Sequence, residues 1–146
     1  MMRTHVPFYV SELLAGGFLY ALIEVLFRGY THPSMFLLGG MCFVSVGLIR
    51  RGFSGAPLAE KMLLSGITIT VLEFLCGLLV NVWLGLAVWD YSRMPYNLLG
   101  QVCLSYTAMW CLLALPAMGA DALLWENWFL RGKFREKSFQ AAESVV

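Results

Sequence analysis

The chain has 146 residues, 60% of them apolar and only 13% charged, with a formal net charge of +1. Soluble domains average about 45–50% apolar and roughly 25% charged residues, so this composition, with a mean hydropathy of +0.73, excludes an ordinary water-soluble domain. The basic residues are few and dispersed, which excludes a nucleic-acid binder, and the length suits a single domain.

The first apolar run covers about residues 8–28. At about 1.5 Å per residue, about 20 residues cross the roughly 30 Å hydrocarbon core of a bilayer. The run ends on Arg28, with Glu12 near one end and Glu24 near the other. Gly16, Gly17 and Ala21 offer small surfaces for helix contact, which packing drives in lipid. No small-x-small cleavage site closes the run, so it is expected to stay in the mature protein. A link holding Thr31-His32-Pro33 leads to a shorter second span, about residues 34–50, closed by Arg50 and Arg51. Gly52, Ser54, Gly55 and Pro57 then mark a loop.

The third run, about residues 62–86, is apolar except for Glu73 and Asn81. It is longer than a crossing needs. Either it tilts, or the part after Asn81 does something other than cross. Pro95 breaks the next link, and Asn97 is expected to cap the fourth span, about residues 98–119. Pro116 is a candidate kink. Residues 121–134 mix Trp125 and Trp128 with charged side chains and suit the membrane–water interface. From Arg135 on, the chain is polar and expected to fray. The expected fold is an all-α integral membrane protein. It is a four-transmembrane-helix bundle in one domain, residues 1–146, with a C-terminal interfacial amphipathic segment.

Basic residues set the expected orientation. Arg3, Arg50, Arg51, Lys61, Arg131, Lys133, Arg135 and Lys137 fall on one side of such a bundle, against Arg28 and Arg93 on the other. The positive-inside rule then puts both termini in the cytoplasm, and the plasma (inner) membrane is the expected location. A duplication is also suggested. Gly17 precedes Glu24 as Gly66 precedes Glu73, and Leu37-Leu38-Gly39 matches Leu98-Leu99-Gly100. The bundle would then be two repeated helical hairpins, the second carrying extra residues around 81–92.

Candidate functional residues follow from the cost of polarity in lipid. Gly66, Thr70, Glu73, Gly77 and Asn81 recur every three or four residues and share one helical face. Gly17, Tyr20, Glu24 and Arg28 repeat that pattern. An ionised carboxylate at mid-bilayer costs about 2.5–3.5 kcal/mol on insertion scales, so it faces the bundle and finds a partner. The two faces are expected to meet or to line one cavity. Arg28 could pair with Glu24 across one turn, with Arg93 and the Tyr20 hydroxyl as other candidates. Two readings stay open: the glutamates are interhelical glue, Glu73 bonding Thr70 or Ser105, or they line an outward-facing polar site. His32 is a solvated loop histidine or a ligand, and Asp90 an interface anchor or a charged gate. Cys42, Cys76, Cys103 and Cys111 lie in apolar runs without a CxxC pair and read as packing residues, so no metal or cofactor is expected. P-loop, H-E-x-x-H and G-x-S-x-G motifs are missing.

Ile23-Glu24, Arg28-Gly29, Thr31-His32-Pro33-Ser34-Met35, Leu72-Glu73-Phe74 with Gly77, and above all Trp89-Asp90-Tyr91-Ser92 with Pro95, Asn97, Gly100 and Trp110 carry a family resemblance. Across residues 16–115 they resemble the ABC-transporter type IV, or CmpB-like, membrane family. Many relatives carry a longer chain or an Arg-Gly-Phe-Leu-type stretch after the first span, where Ser34-Met35-Phe36-Leu37 stands here, so this chain looks like a minimal version. The resemblance implies a permease-like role. The expected function is a transport-related or ligand-binding membrane protein. Its site would use Glu24, Glu73, Asp90 and Asn97, with Tyr20, Arg28, Tyr91 and His32 nearby. Four helices enclose little volume, so a homodimer or partner is expected; ATP-driven work would need a separate ATPase subunit. Membrane lipid is the other expected partner. The alternatives are a membrane enzyme acting on a lipid or envelope precursor, with Glu24 or Asp90 and His32 as acid and base, and a non-catalytic assembly subunit.

Overall fold

The computed structural model describes residues 5–143. Four helices carry the fold: α1 (His5–Arg28), α2 (Pro33–Gly52), α3 (Leu58–Gly77) and α4 (Leu104–Glu143). Each is long and apolar enough to cross a membrane, so the protein is an all-α, multi-pass integral membrane protein. Phe18, Leu22, Leu26, Phe27 and Leu112 stand out on its surface, as lipid-facing side chains must where no water competes.

The links follow from local chemistry. Gly29, at φ 79, ends α1, its N–H returning to the Val25 carbonyl at 2.8 Å. Only a residue without Cβ takes that left-handed turn cheaply. His32 caps α2: its Nδ1 accepts from the Ser34 N–H at 3.2 Å, and Pro33 opens the helix, where its missing N–H costs nothing. α3 starts after Pro57 with Glu60 in its first turn, the sign the helix dipole favours.

The third span ends early. α3 gives way at Leu78 to a π-helical turn, Leu78–Trp83, and residues 84–96 then double back as irregular chain. A π-turn widens the backbone ring by one residue, here with the Leu84 N–H on the Leu79 carbonyl at 2.9 Å. Asn97–Leu98 (β1) and Val102–Cys103 (β2) form a short antiparallel ladder, Asn97 opposite Cys103. Leu99 and Gly100, both at positive φ, make the turn, as a tight hairpin requires. The fourth helix therefore starts at Leu104, and Asn97 is not its N-cap. At the far end α4 runs on through Pro116 to Glu143. Residues 121–134 are part of that helix rather than a separate segment, and the backbone from Arg135 to Glu143 is helical. The side chains of Arg131, Lys133, Arg135 and Lys137, and all of Arg3, lie outside the described residues.

α1 packs mainly on α2, and α3 mainly on α4, while α1 and α4 scarcely touch. The α1–α2 seam is close because a Cβ on Gly16 or Gly39 would strike Phe43 or Tyr20 of the facing helix. The two Leu-Leu-Gly triplets differ in structure: residues 37–39 lie within α2, whereas 98–100 form the ladder turn. That half of the apparent duplication is not a structural repeat.

Candidate functional site

Both ends of the bundle carry polar clusters, and an apolar cleft lies between them. At one end residues 84–103 fold back as a cap. Asn81, on the π-turn, accepts the Val88 N–H at 2.7 Å and donates to Gln101 Oε1 at 2.9 Å. The Trp89 indole donates to the Gln101 carbonyl at 2.9 Å. Tyr91 N–H donates to the Gly100 carbonyl at 2.7 Å. Asp90 is exposed and accepts from the Ser92 N–H and hydroxyl at 2.8 and 3.0 Å. Those bonds, the backbone one first, hold its carboxyl below the usual range. Asn97 donates to the carbonyls of Ser92 and Met94 and accepts from Gly100 N–H. The Trp-Asp-Tyr-Ser…Pro…Asn…Gly string is thus a folding code for the cap.

The cap is tied to both hairpins. Tyr91 reaches inward and donates to Glu73 Oε1 at 3.1 Å, stacking on Tyr106 at 4.6 Å between centroids. Burial and the neighbouring Glu73 push its hydroxyl up from its ordinary value. On α1, Glu24 pairs with Arg28 at 2.8 Å and accepts from Thr31 at 2.6 Å. Arg28 also donates to Tyr30 and, at 3.0 Å, to the Val88 carbonyl. Glu24 and Arg28 therefore clamp the cap to α1.

Glu73 lies on α3, inside the bundle. It is 2% exposed. Its Oε2 accepts from the Trp110 indole at 3.0 Å, as Oε1 does from Tyr91. Neither Thr70 nor Ser105 is its partner; the Thr70 hydroxyl lies 2.9 Å from both the Gly66 carbonyl and the Thr107 hydroxyl. The face shared by Gly66, Thr70, Glu73, Gly77 and Asn81 meets α4 and the cap, since Gly66 abuts Cys111 and Gly77 abuts Gln101 and Trp89. Glu73 and Tyr20 line a cleft of about 340 Å³ between α1 and α4, floored by Leu38, Cys42 and Val46 of α2 and flanked by Trp110, Leu113 and Ala117 of α4.

Among the expected site residues, the structure brings together Glu73, Tyr20 and Tyr91. Glu24 and Arg28 form the adjoining clamp. Asp90 and Asn97 are engaged within the cap. The Nδ1 of His32 is taken by Ser34, at 2.8 Å from its hydroxyl, and among the described residues His32 forms no ion pair with a carboxylate.

Sequence reasoning passed over the other end. Glu12 of α1 and Asp121 of α4 are both fully buried, and Arg51 of α2 bridges them, bonding Glu12 at 3.0 Å and also Asp121. Arg50 pairs with Asp121 too. A Cβ on Gly47 would collide with Glu12 and Asp121. Arg51 also lies over Trp125, 4.7 Å from its centroid, and Phe8 meets Trp125 edge-on at 4.9 Å. The available signal was a carboxylate near the end of each of two apolar runs, opposite an Arg-Arg pair that closes a third.

The chain matches the family model described as "Putative ABC-transporter type IV" over residues 10–139. No curated protein matches it, and no solved structure does.

Proposed function

The chain belongs to the ABC-transporter type IV (CmpB) family, and from that premise we propose that it is the membrane component of a transport system whose ligand site is the cleft beside Glu73. One observation carries this reading. Glu73 is buried, its two oxygens are held by neutral donors, and it lines a cleft large enough for a small molecule. Intramembrane carboxylates are costly, and such residues mark substrate or ion pathways. Tyr20, Tyr91 and Trp110 shape the site, and Glu24 and Arg28 hold the cap over it. The capped end faces outward, and the Arg50–Arg51 end, with both termini, faces the cytoplasm of a plasma (inner) membrane. Without a P-loop, ATP hydrolysis would come from a separate subunit, and a second copy or another partner would complete a conducting path.

Native mass spectrometry of the protein taken directly from membranes tests the site. A small-molecule adduct is expected on the wild type and on Glu24→Gln, and is expected to be lost in Glu73→Gln. An adduct unchanged in folded Glu73→Gln removes Glu73 from the site.

A further inference from the structure

We propose that the cleft takes a membrane-borne cationic amphiphile, its amine or quaternary ammonium against Glu73 and its alkyl chain along the apolar wall between α1 and α4. This rests on the cleft being the ligand site and names the class of its ligand.

Charge points to a cation. An indole N–H can only donate, so Glu73 Oε2 is an acceptor, and Oε1 accepts from Tyr91. Both oxygens accept, an arrangement that suits an ionised carboxylate. Its hydrogen bonds are satisfied, yet among the described residues no Arg, Lys or His pairs with it. The paired carboxylates Glu12, Glu24 and Asp121 differ in this respect. An unpaired buried charge is expensive, and a cation in the cleft would offset that cost.

The wall around Glu73 selects the kind of cation. Tyr20 and Trp110 flank it, their rings 6.3 Å apart and tilted by 36°. Aromatic faces attract bulky, weakly hydrated ammonium groups. Most of the remaining lining, including Leu19, Ile23, Leu38 and Leu113, is hydrocarbon. At about 340 Å³, the cleft lies near the small end of the roughly 300–1,000 Å³ typical of ligand sites. That fits one chain and its head, not a two-tailed lipid.

The route in is lateral. At the capped end Tyr91 bonds Glu73 and Trp89 is buried. At the other end Phe8 packs on Trp125 and Trp128, and Arg51 links Glu12 to Asp121. Between these closures α1 and α4 scarcely meet, and Leu19, Ile23 and Leu113 at the lips are exposed toward lipid. A ligand entering there dissolves in the bilayer first.

Thermal unfolding of the protein in nanodiscs of uncharged lipid tests the proposal, with dodecyltrimethylammonium, dodecyl sulfate and tetramethylammonium as probes. Dodecyltrimethylammonium is expected to stabilise at a concentration at least about tenfold below tetramethylammonium, one decade being about 1.4 kcal/mol, while dodecyl sulfate does not stabilise. The effect is expected to vanish in Glu73→Gln, which keeps the side chain's shape, and in Leu113→Trp, which fills the cleft from its lipid-exposed lip. Equal stabilisation by dodecyl sulfate, or an effect that survives Glu73→Gln but not Leu113→Trp, overturns the cationic class and leaves the cleft as the site. Stabilisation that survives both variants, or that no probe produces, overturns the cleft itself.

Discussion

Arg51 is the residue on which three helices converge. It stands on α2, and its guanidinium joins Glu12 of α1 to Asp121 of α4. Its side chain is 14% exposed, and both carboxylates are fully buried. Taking such charges out of water is costly, and removing one partner is worse than removing the pair. Arg51→Met is therefore expected to destabilise the bundle by about 3–5 kcal/mol, measured by unfolding in mild detergent. Glu12→Leu added to Arg51→Met is expected to recover much of that loss, because the Arg50–Asp121 pair then stands balanced; a strictly additive double variant would show the three groups to be independent. Glu73 contrasts with this cluster. It has donors but no cation among the described residues, so Glu73→Gln, which removes an unpaired charge, is expected to keep or raise stability while abolishing ligand binding.

At the level of elements, the unit that departs most from a plain helical bundle is the cap. Its π-turn, doubled-back chain and two-residue ladder replace what would otherwise be the end of one span and the start of the next. Gln101 is its hub: the side-chain oxygen takes Asn81, the side-chain amide donates to the Leu99 carbonyl, and the backbone carbonyl takes the Trp89 indole. Gln101→Leu strands the Asn81 amide and the Leu99 carbonyl, at about 1–3 kcal/mol for a buried polar group left unpaired. Arg93 lies exposed in the cap and offers a trypsin site. Cleavage after Arg93 is expected to run at least about tenfold faster in Gln101→Leu than in the wild type. An unchanged rate would mean that Glu73–Tyr91 and Arg28–Val88 alone hold the cap. The sequence showed polar residues clustered here and an overlong third span. It left open whether the span tilts or the part after Asn81 leaves the crossing, because a π-turn leaves no periodic signature in an apolar run.

For the whole molecule, the two closed ends and the open flank set what the protein can do. Helix pairs α1–α2 and α3–α4 are each close-packed, and they part along α1 and α4 between the two polar closures. The cap is proposed to face outward. Single cysteines placed at Ser92 in the cap and at Ser54 in the α2–α3 loop, in a background lacking the four native cysteines, check this. A membrane-impermeant thiol reagent is expected to label the Ser92 position in intact cells and the Ser54 position only after permeabilisation. The reverse pattern would invert the topology and place the cleft's cap in the cytoplasm.

Composition and run length alone determined that the chain is a helical membrane protein with four spans, because backbone groups in lipid must bond within their own helix and about 20 apolar residues are the length that does so. Helical spacing also placed Glu73 on a bundle-facing stripe, and i,i+4 spacing placed Arg28 beside Glu24. Only the tertiary structure decided the rest. It separated the two glutamates in role, giving Glu24 to a clamp and Glu73 to a cleft, because Val88, which receives Arg28 of the clamp, and Tyr91 and Trp110, which hold Glu73, come from chain remote in sequence. It turned Glu12, Arg50, Arg51 and Asp121 from helix-end charges into one buried network. Pairing between helices depends on how they cross, and a one-dimensional pattern carries the period of each helix but not the angle between two.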